Sequence, residues 1–207
     1  MVRTAVILLG ALLLLFALAR WHGTAGYVSP ARIALEGTPE GRAAAVVAEP
    51  VQHNLWIPRI WKKSGYTIRG VAEFGLTGRV LLKDTFTSDE ESDLAPVDFT
   101  FGWGPMSDPS FLKKVNLSHS GRFYRWTTAD AADSDKISLH SANMHMIPGS
   151  KEVEKTLHSI QPGELVSLSG YLVNAERADS WTWTTSMTRD DTGDGACEIV
   201  WVDKIAH

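Results

Sequence analysis

The segment Cys197–Val202 constrains the fold more than any other stretch, because it is apolar on both faces of an extended chain. Ile199 and Trp201 alternate with Val200 and Val202, and successive side chains of a strand point to opposite faces. A strand with two apolar faces is covered on both sides and lies inside a sheet. The sequence therefore predicts a fold built around a buried sheet.

Several other short segments are also strand-like, with apolar residues bounded by turn residues. The predicted strands are residues 70–74, 78–83, 97–101 and 164–173, together with the alternating stretch Trp181–Thr184. No internal repeat relates these segments. Many short strands of this kind are typical of a barrel or a sandwich.

Two short helices are predicted between these strands. The first covers about residues 108–115, where Asp108 can cap the helix and Pro109 suits its first turn. The second covers about residues 151–160 and has apolar residues on one face. The expected fold class is mainly β (α+β): a small β-barrel or sandwich with two short helices. Gly170, inside a predicted strand, favours an OB-like barrel.

An uninterrupted run of apolar or small residues occupies positions 5–19. As a helix this run is about 22 Å long, shorter than a bilayer core of about 30 Å. The flanking Arg3 and Arg20 can snorkel, which brings residues 4–21 near the lower limit for spanning. Trp21 at the boundary suits an interfacial anchor. The alternative is a cleaved signal peptide, whose small-residue site would stand at the end of the run.

These features divide the chain into three parts. Residues 1–22 are predicted to be a transmembrane signal-anchor helix, and residues 23–60, rich in Gly, Ala, Pro and Glu, a linker or tether. Residues 61–207 are predicted to form one extracytoplasmic β-rich domain. The location follows from the usual behaviour of N-terminal signal-anchors, which leave the following chain outside the cytoplasm.

The composition and motifs of the chain limit which partners and cofactors it is expected to bind. The formal net charge is −4, the pI is about 6.0 and there is no Lys/Arg-rich run, so no nucleic-acid partner is predicted. The single cysteine excludes an internal disulfide. There is no phosphate-binding loop, no dinucleotide glycine pattern, no G-x-S-x-G and no C-x-x-C. No cofactor is therefore predicted, and the common enzyme classes are disfavoured.

The stretch His140-Ser-Ala-Asn143-Met-His145 looks most like a site. Its histidines are five residues apart, which places them on opposite faces of a strand or about 140° apart on a helix. No two-histidine metal clamp is therefore predicted on a regular element. The alternation also puts Asn143 and His145 on one strand face, with Met144 and Met146 on the other.

Cys197 completes a candidate catalytic set. A catalytic thiol needs a neighbouring imidazole to lower its pKa and a third group to orient that imidazole. Cys197, His145 or His140, and Asn143 supply these residue types. However, Cys197 shares its strand face with apolar residues, which is typical of a buried structural cysteine. The sequence leaves open whether the protein is an enzyme.

The candidate binding residues are Trp103, Asn143, His145, Asp191 and Asp194. The tryptophan lies between two glycines, and the two aspartates lie in an acidic, Gly-rich loop that begins like a calcium loop. The position that needs a bidentate glutamate is a tryptophan, so the loop is not an EF-hand. We expect the stretch 140–148, this loop and Trp103 to converge on one binding face.

Five motifs occur in order between residues 66 and 203: APVDFTFGWGPMSD, RFYRW, SANMHMIP, PGELVSLSGYLV and TRDDTGDGACE. Together they resemble a family of uncharacterised bacterial membrane-anchored proteins. The resemblance implies an envelope protein that crosses the bacterial inner membrane once and has its C-terminal domain in the periplasm. It implies no catalytic residue.

The leading functional prediction is a binding or scaffolding module whose partner is an envelope protein or a small ligand. The alternatives are an envelope Cys–His hydrolase or transferase and a metal-binding module. The first alternative depends on whether the fold brings Cys197 to a histidine. The second depends on whether the fold supplies a third ligand to His140 and His145.

Overall fold

The computed structural model describes residues 45–191, 193 and 195–207. The predicted anchor at residues 1–22 and the first part of the predicted tether lie outside the described residues. The described chain is mainly β, with a large sheet and a few short helices. This confirms that the fold is mainly β with a few short helices. Within the described residues, no helix is long and apolar enough to cross a bilayer.

Within the described residues, nine strands make up two sheets. They are β1 Val51–Lys63, β2 Tyr66–Thr85, β3 Val97–Gly102, β4 Val115–Ser120, β5 Phe123–Thr128, β6 Ser141–Pro148, β7 Leu165–Glu176, β8 Thr182–Trp183 and β9 Glu198–Ala206. The order in the main sheet is β1-β2-β3-β6-β9-β7-β8, and β2 also pairs with β7. The pairings from β2 through β3, β6, β9 and β7 therefore return to β2. Strands β6 and β9 are parallel, and β4 and β5 form a separate hairpin.

Three α-helices and two 3-10 turns connect the strands. They are α1 Pro109–Leu112, α2 Ser134–Ser138, α3 Lys151–Ser159, and the turns Gly104–Ser107 and Ala131–Asp133. Asp108 caps α1 by accepting a hydrogen bond from the Ser110 amide, and Ser150 caps α3 in the same way. Both predicted helices are thus confirmed, although α1 is shorter than expected and α2 was not predicted.

Strand β2 is twenty residues long and unites two segments that the sequence predicts as separate strands. Its first half pairs with β1 and its second half with β3, while β7 pairs with it from Thr67 to Arg79. The glycines between the two segments therefore lie where the strand changes partners without ending. At Gly78 an added Cβ would stand 3.1 Å from the Gly102 carbonyl oxygen, so the close approach of β3 favours glycine there.

Gly170 lies at a register shift between β7 and β9. A Cβ at this position would stand 1.9 Å from the carbonyl oxygen of Trp201, which no side chain permits. The glycine therefore allows the two backbones to approach at the irregularity, as expected for a bulge in a curved sheet.

The ordered β-rich part begins ahead of residue 61. Residues 51–60, predicted as the end of the tether, belong to β1, which pairs with β2 from Val51 opposite Gly75 onward. One face of β1 is exposed and the strand contains Pro58. An edge strand of this kind lacks the apolar alternation that marks a half-buried strand.

The apolar residues form two large clusters on opposite faces of the main sheet. The inner cluster includes Met144, Met146, Val200 and Val202, and the outer cluster includes Ile147, Tyr171, Ile199 and Trp201. Strand β9 contributes alternate residues to both clusters. This confirms that it is a central strand covered on both faces.

Candidate functional site

A row of polar side chains lies on the face of β3 and β6 opposite the inner cluster. Thr100 stands opposite Asn143 and Asp98 stands opposite His145 in the antiparallel register. All four side chains are buried, so their hydrogen-bonding groups need partners within the protein. The predicted alternation in β6 is borne out, because Met144 and the other even-numbered residues enter the inner cluster.

Asn143 is the centre of one part of this row. Its Oδ1 accepts a hydrogen bond from Thr100 Oγ1 at 3.1 Å and lies 3.2 Å from His119 Nε2. Its Nδ2 donates to the Arg122 carbonyl oxygen at 2.9 Å and lies 3.9 Å from Cys197 Sγ. These partners occupy both ends of the amide. Asn143 therefore joins β3, the β4–β5 hairpin and the start of β9.

His145 is oriented by Asp98, and Asn143 does not contact it through a hydrogen bond. The Nδ1 atom of His145 lies 2.9 Å from Asp98 Oδ2, and Arg122 Nη1 donates to Asp98 Oδ1 at 2.8 Å. The imidazole also packs on Trp183, with 4.6 Å between ring centroids. The structure thus brings together an Arg–Asp–His set of which the sequence predicted only the histidine.

His140 lies apart from this row. It precedes β6, in the turn after α2. Its Nδ1 is 2.9 Å from the Lys136 carbonyl oxygen, and its Nε2 is 3.6 Å from Glu49 Oε1. The structure therefore separates the two histidines that the sequence considered together. Among the described residues, no group of three or more His, Cys, Asp or Glu side chains is placed to hold a metal ion.

Cys197 immediately precedes β9 and is partly buried. Its sulfur lies 3.9 Å from both Asn143 Nδ2 and the Arg122 carbonyl oxygen, and neither neighbour is an imidazole. Burial raises the pKa of the thiol to about 12, and the negative charge of nearby carboxylates adds to the increase. The sulfur is therefore a protonated thiol at neutral pH, and it lacks the cationic neighbour that a catalytic thiolate requires.

Two cavities flank Cys197. The first has a volume of about 420 Å³ and lies between the β4–β5 hairpin, the start of β6 and the loop before β9. Its polar lining residues are Tyr124, Arg125, Ser138, Ser141, Asn143, Arg189, Asp191, Cys197 and Glu198. The second, of about 540 Å³, is lined by His145, Arg122, Trp183 and others. The 140–148 stretch and the loop before β9 therefore converge, as predicted.

The remaining predicted binding residues are placed differently. Trp103 is fully buried in the inner cluster, donates through Nε1 to Glu49 Oε2 at 2.6 Å, and lines neither cavity. The expectation that it joins the binding face is corrected, because the indole is part of the apolar core. Asp191 lines the first cavity and accepts a hydrogen bond from Ser186 Oγ at 2.7 Å. Asp194 lies outside the described residues.

Glu198 and Arg189 also line the first cavity, and neither was among the predicted site residues. Glu198 is completely buried, and neither of its carboxyl oxygens has a hydrogen-bond partner among the described residues. Arg189 Nη1 lies 3.5 Å from Glu198 Oε1, too poorly placed for a hydrogen bond, and is likewise unsatisfied. The Arg189 side chain is 18% exposed, whereas the Glu198 side chain is fully buried.

Burial raises the pKa of Glu198 to about 8, and the positive charge of Arg189 offsets only part of that effect. The carboxyl group is therefore mostly neutral at pH 7 and can donate a hydrogen bond. The sequence did contain a signal for this residue. Glu198 shares a strand face with Val200 and Val202, and a carboxyl group on a covered apolar face is unusual unless it is paired or functional.

The chain was compared with protein-family models, with curated proteins and with solved structures. No family model, no curated protein and no solved structure matches it. The functional argument therefore stands on the geometry of the two cavities and the side chains that line them.

Proposed function

We propose that this protein is a binding module of the bacterial envelope, and that the first cavity takes a small carboxylate-bearing molecule. One observation carries this proposal: Arg189 and Glu198 both line the cavity, and Arg189 Nη1 and both carboxyl oxygens of Glu198 are buried without a hydrogen-bond partner among the described residues. A guanidinium N–H group without a partner is a natural donor to a carboxylate. A neutral carboxyl group beside it supplies a second donor.

The charges of the lining support an anionic ligand. Arg125 and Arg189 are positive, Asp191 is negative, and Glu198 is mostly neutral below its pKa of about 8. The lining therefore carries one net positive charge at pH 7. Above pH 8 the ionised Glu198 would repel a carboxylate, so we expect the affinity to fall as the pH rises through this value.

We also infer that the ring of strands β2, β3, β6, β9 and β7 is an OB-like barrel. Five strands, a long curved first strand that pairs with both its neighbours, and a helix between the third and fourth strands support this inference. OB-folds bind ligands across their second and third strands and the adjoining loops. Here those strands are β3 and β6, and β6 lines both cavities. This support is an analogy at the level of the fold.

We further propose that residues 4–21 anchor the protein in the bacterial inner membrane, with a single pass and the C-terminal domain in the periplasm. The apolar run at 5–19, the flanking Arg3 and Arg20 and the envelope-type resemblance support this location. Cell fractionation with mass measurement of the intact chain tests it. A mature chain that begins near Arg20 would contradict a retained anchor.

A Cys–His hydrolase or transferase is the weaker candidate. The high pKa of Cys197 and the absence of an imidazole among its hydrogen-bonding partners oppose thiolate chemistry. The Asp98–His145 pair is well oriented, but no activated nucleophile lies within hydrogen-bonding distance of it among the described residues. The arrangement therefore supports binding better than catalysis.

A ligand screen on the full chain in detergent tests the proposed function. Acetate, succinate and glycylglycine are added at pH 6.5 and at pH 9, and the melting temperature is measured. We expect at least one of the three to raise it at pH 6.5, less so at pH 9. Arg189→Gln should abolish the increase, whereas the matched control Arg125→Gln, at the exposed rim, should reduce it only in part. No increase with any probe, or an increase unchanged in Arg189→Gln, would contradict the proposal.

A further inference from the structure

Strand β1 contains a large irregularity far from the cavities. Between the pairs Asn54–Ala72 and Arg59–Gly70, β1 has four residues where β2 has one. The four residues are Leu55–Pro58, which we call the bulge. The extra length pushes the bulge out of the plane of the sheet, because it has no partners on β2.

Two large apolar side chains of the bulge point to solvent. Trp56 is 100% exposed and Ile57 is 81% exposed, and Ile60 on the same strand is 48% exposed. In contrast, Leu55 and Trp61 pack against the outer cluster. An apolar group of this size outside the core marks a contact surface. Tryptophan is also the side chain most typical of the membrane–water interface.

The chain segment that contains the bulge is biased in charge. Residues 51–72 contain four Lys or Arg side chains and no acidic one. Glu73 follows this segment and pairs with His53 of β1, and the whole chain has a net charge of −4. The basic residues are Arg59, Lys62, Lys63 and Arg69. Basic side chains beside exposed Trp and Ile residues are complementary to a bilayer that contains anionic lipids.

A strand of another protein is the alternative partner for β1, because β1 lies at the edge of the sheet. Two features of β1 oppose it. Pro58 has no amide hydrogen, and the bulge interrupts the register, so a continuous ladder cannot form along this edge. A lipid surface makes no demand on backbone register. It therefore fits the bulge better than a strand does.

We propose that the bulge inserts Trp56 and Ile57 into the headgroup region of an anionic bilayer and holds the domain against the membrane. The inference rests on the proposed anchor at residues 4–21, which would keep the domain near a bilayer. The intervening residues 22–45 reach at most about 85 Å when fully extended, because Val46 and Glu49 are already hydrogen-bonded to the domain. Docking through the bulge would convert this loose attachment into a fixed orientation.

Spin-label accessibility on the full chain tests the proposal. The chain carries Cys197→Ser and Ile57→Cys with a nitroxide label, and is placed one per nanodisc in phosphatidylglycerol and phosphatidylcholine. The control label is at Asn116→Cys, an exposed position on β4. We expect the label at position 57 to be accessible to oxygen and several-fold less accessible to a water-soluble nickel chelate than the control. Adding Trp56→Ala should restore its accessibility to nickel.

Equal nickel accessibility at positions 57 and 116 would overturn the proposal. Protection at position 57 that persists after Trp56→Ala would overturn the role of the tryptophan. Protection that persists in discs without phosphatidylglycerol would overturn the role of the basic side chains. If residues 4–21 do not anchor the chain in a bilayer, a different result is expected, because the chain would then elute separately from the nanodiscs. In that case flotation with phosphatidylglycerol vesicles decides the question: binding lost in Trp56→Ala with Ile57→Ser supports the bulge, and no binding by the parent chain contradicts it.

Discussion

Asp98 and Glu198 are both buried carboxyl groups, yet their surroundings differ completely. Asp98 is 1% exposed, accepts a hydrogen bond from Arg122 at 2.8 Å and lies 2.9 Å from His145 Nδ1. Glu198 is fully buried, accepts no hydrogen bond from the described residues and faces Arg189 at 3.5 Å. One site satisfies a buried charge, and the other leaves a buried acid without a hydrogen-bond partner.

This difference in hydrogen bonding suggests a structural role for Asp98 and a role in the proposed ligand site for Glu198. Burying a charge is tolerable when hydrogen-bonded partners compensate for the lost hydration, and costly otherwise. Asp98 has such partners from the β4–β5 turn and from β6, so we assign it the role of fixing the hairpin and His145. Glu198 has none, and burial raises its pKa to about 8. We therefore assign it to the ligand site.

Removing the charge of Asp98 should have the largest effect on stability. We expect Asp98→Asn to lower the free energy of unfolding by about 3–5 kcal/mol, because Arg122 and His145 would each lose a buried, charged hydrogen-bond partner at a cost of about 1.5–3 kcal/mol. Arg122 would keep the more exposed Asp89. Urea denaturation of the full chain measures the change. Asp135→Asn, at an exposed position on α2, is the control and should have little effect. A loss below about 1 kcal/mol for Asp98→Asn would mean that the network is not structural.

The pH dependence of stability should report Glu198. Its folded pKa of about 8 lies above the ordinary value of 4.5. The stabilisation from the neutral carboxyl group is therefore complete below about pH 4.5 and is lost as the pH rises through about 8. We expect the free energy of unfolding to fall by about 2–4 kcal/mol between pH 5 and pH 8.5, at no more than about 1.4 kcal/mol per pH unit.

The variant Glu198→Gln separates this group from the others that titrate in the same range. It keeps the size of the side chain and cannot ionise, so its stability should be nearly constant over that interval. Urea denaturation at a series of pH values measures both chains. Equal slopes in the two chains would show that Glu198 is not the titrating group.

Replacing His145 should have the third-largest effect on stability, because this residue is one of two hydrogen-bond partners of Asp98. We expect His145→Asn to lower the free energy of unfolding by about 1–3 kcal/mol, since Asp98 keeps Arg122 while one buried hydrogen bond is lost. Thermal and urea denaturation give the value. A loss as large as that of Asp98→Asn would show that the imidazole, and not the guanidinium, dominates the network.

The sequence predicts the parts of this fold that depend on local pattern. The alternation in β9 and the apolar stripe and cap of α3 are readable from neighbouring residues, and both agree with the structure. The continuity of β2 is not readable in this way. Its continuity depends on pairing with β7, which is distant in sequence, so from the sequence alone its glycines look like turn residues.

The candidate site, like the fold, was predictable only where it depends on local sequence pattern. The sequence places Asn143 and His145 on one face and expects the loop before β9 nearby, and the geometry agrees. It could not supply Asp98 or Arg122, because only the register of β3 with β6 and the position of the β4–β5 hairpin bring them to His145. Glu198 was readable, as the one acidic residue on a face shared with valines.

Replacing Cys197 should have the smallest effect on stability, and its thiol should react slowly. Its pKa of about 12 leaves far less thiolate at pH 8 than a free cysteine with a pKa of about 8.5 has. We expect iodoacetamide to modify it at least about 100-fold more slowly than free cysteine. Cys197→Ser should change the free energy of unfolding by less than about 1.5 kcal/mol. Modification as fast as that of free cysteine would reopen the thiol enzyme hypothesis.

The titration of Glu198 tests the central claim most directly. Carbon-13 NMR of the full chain with labelled glutamate carboxyl groups follows each one through a pH series, and the resonance missing in Glu198→Gln identifies this residue. We predict a midpoint near pH 8, as expected for an acid buried without a hydrogen-bond partner beside the cavity. A midpoint near 4.5 would show that Glu198 is ionised and well solvated at neutral pH, and would contradict the proposed ligand site.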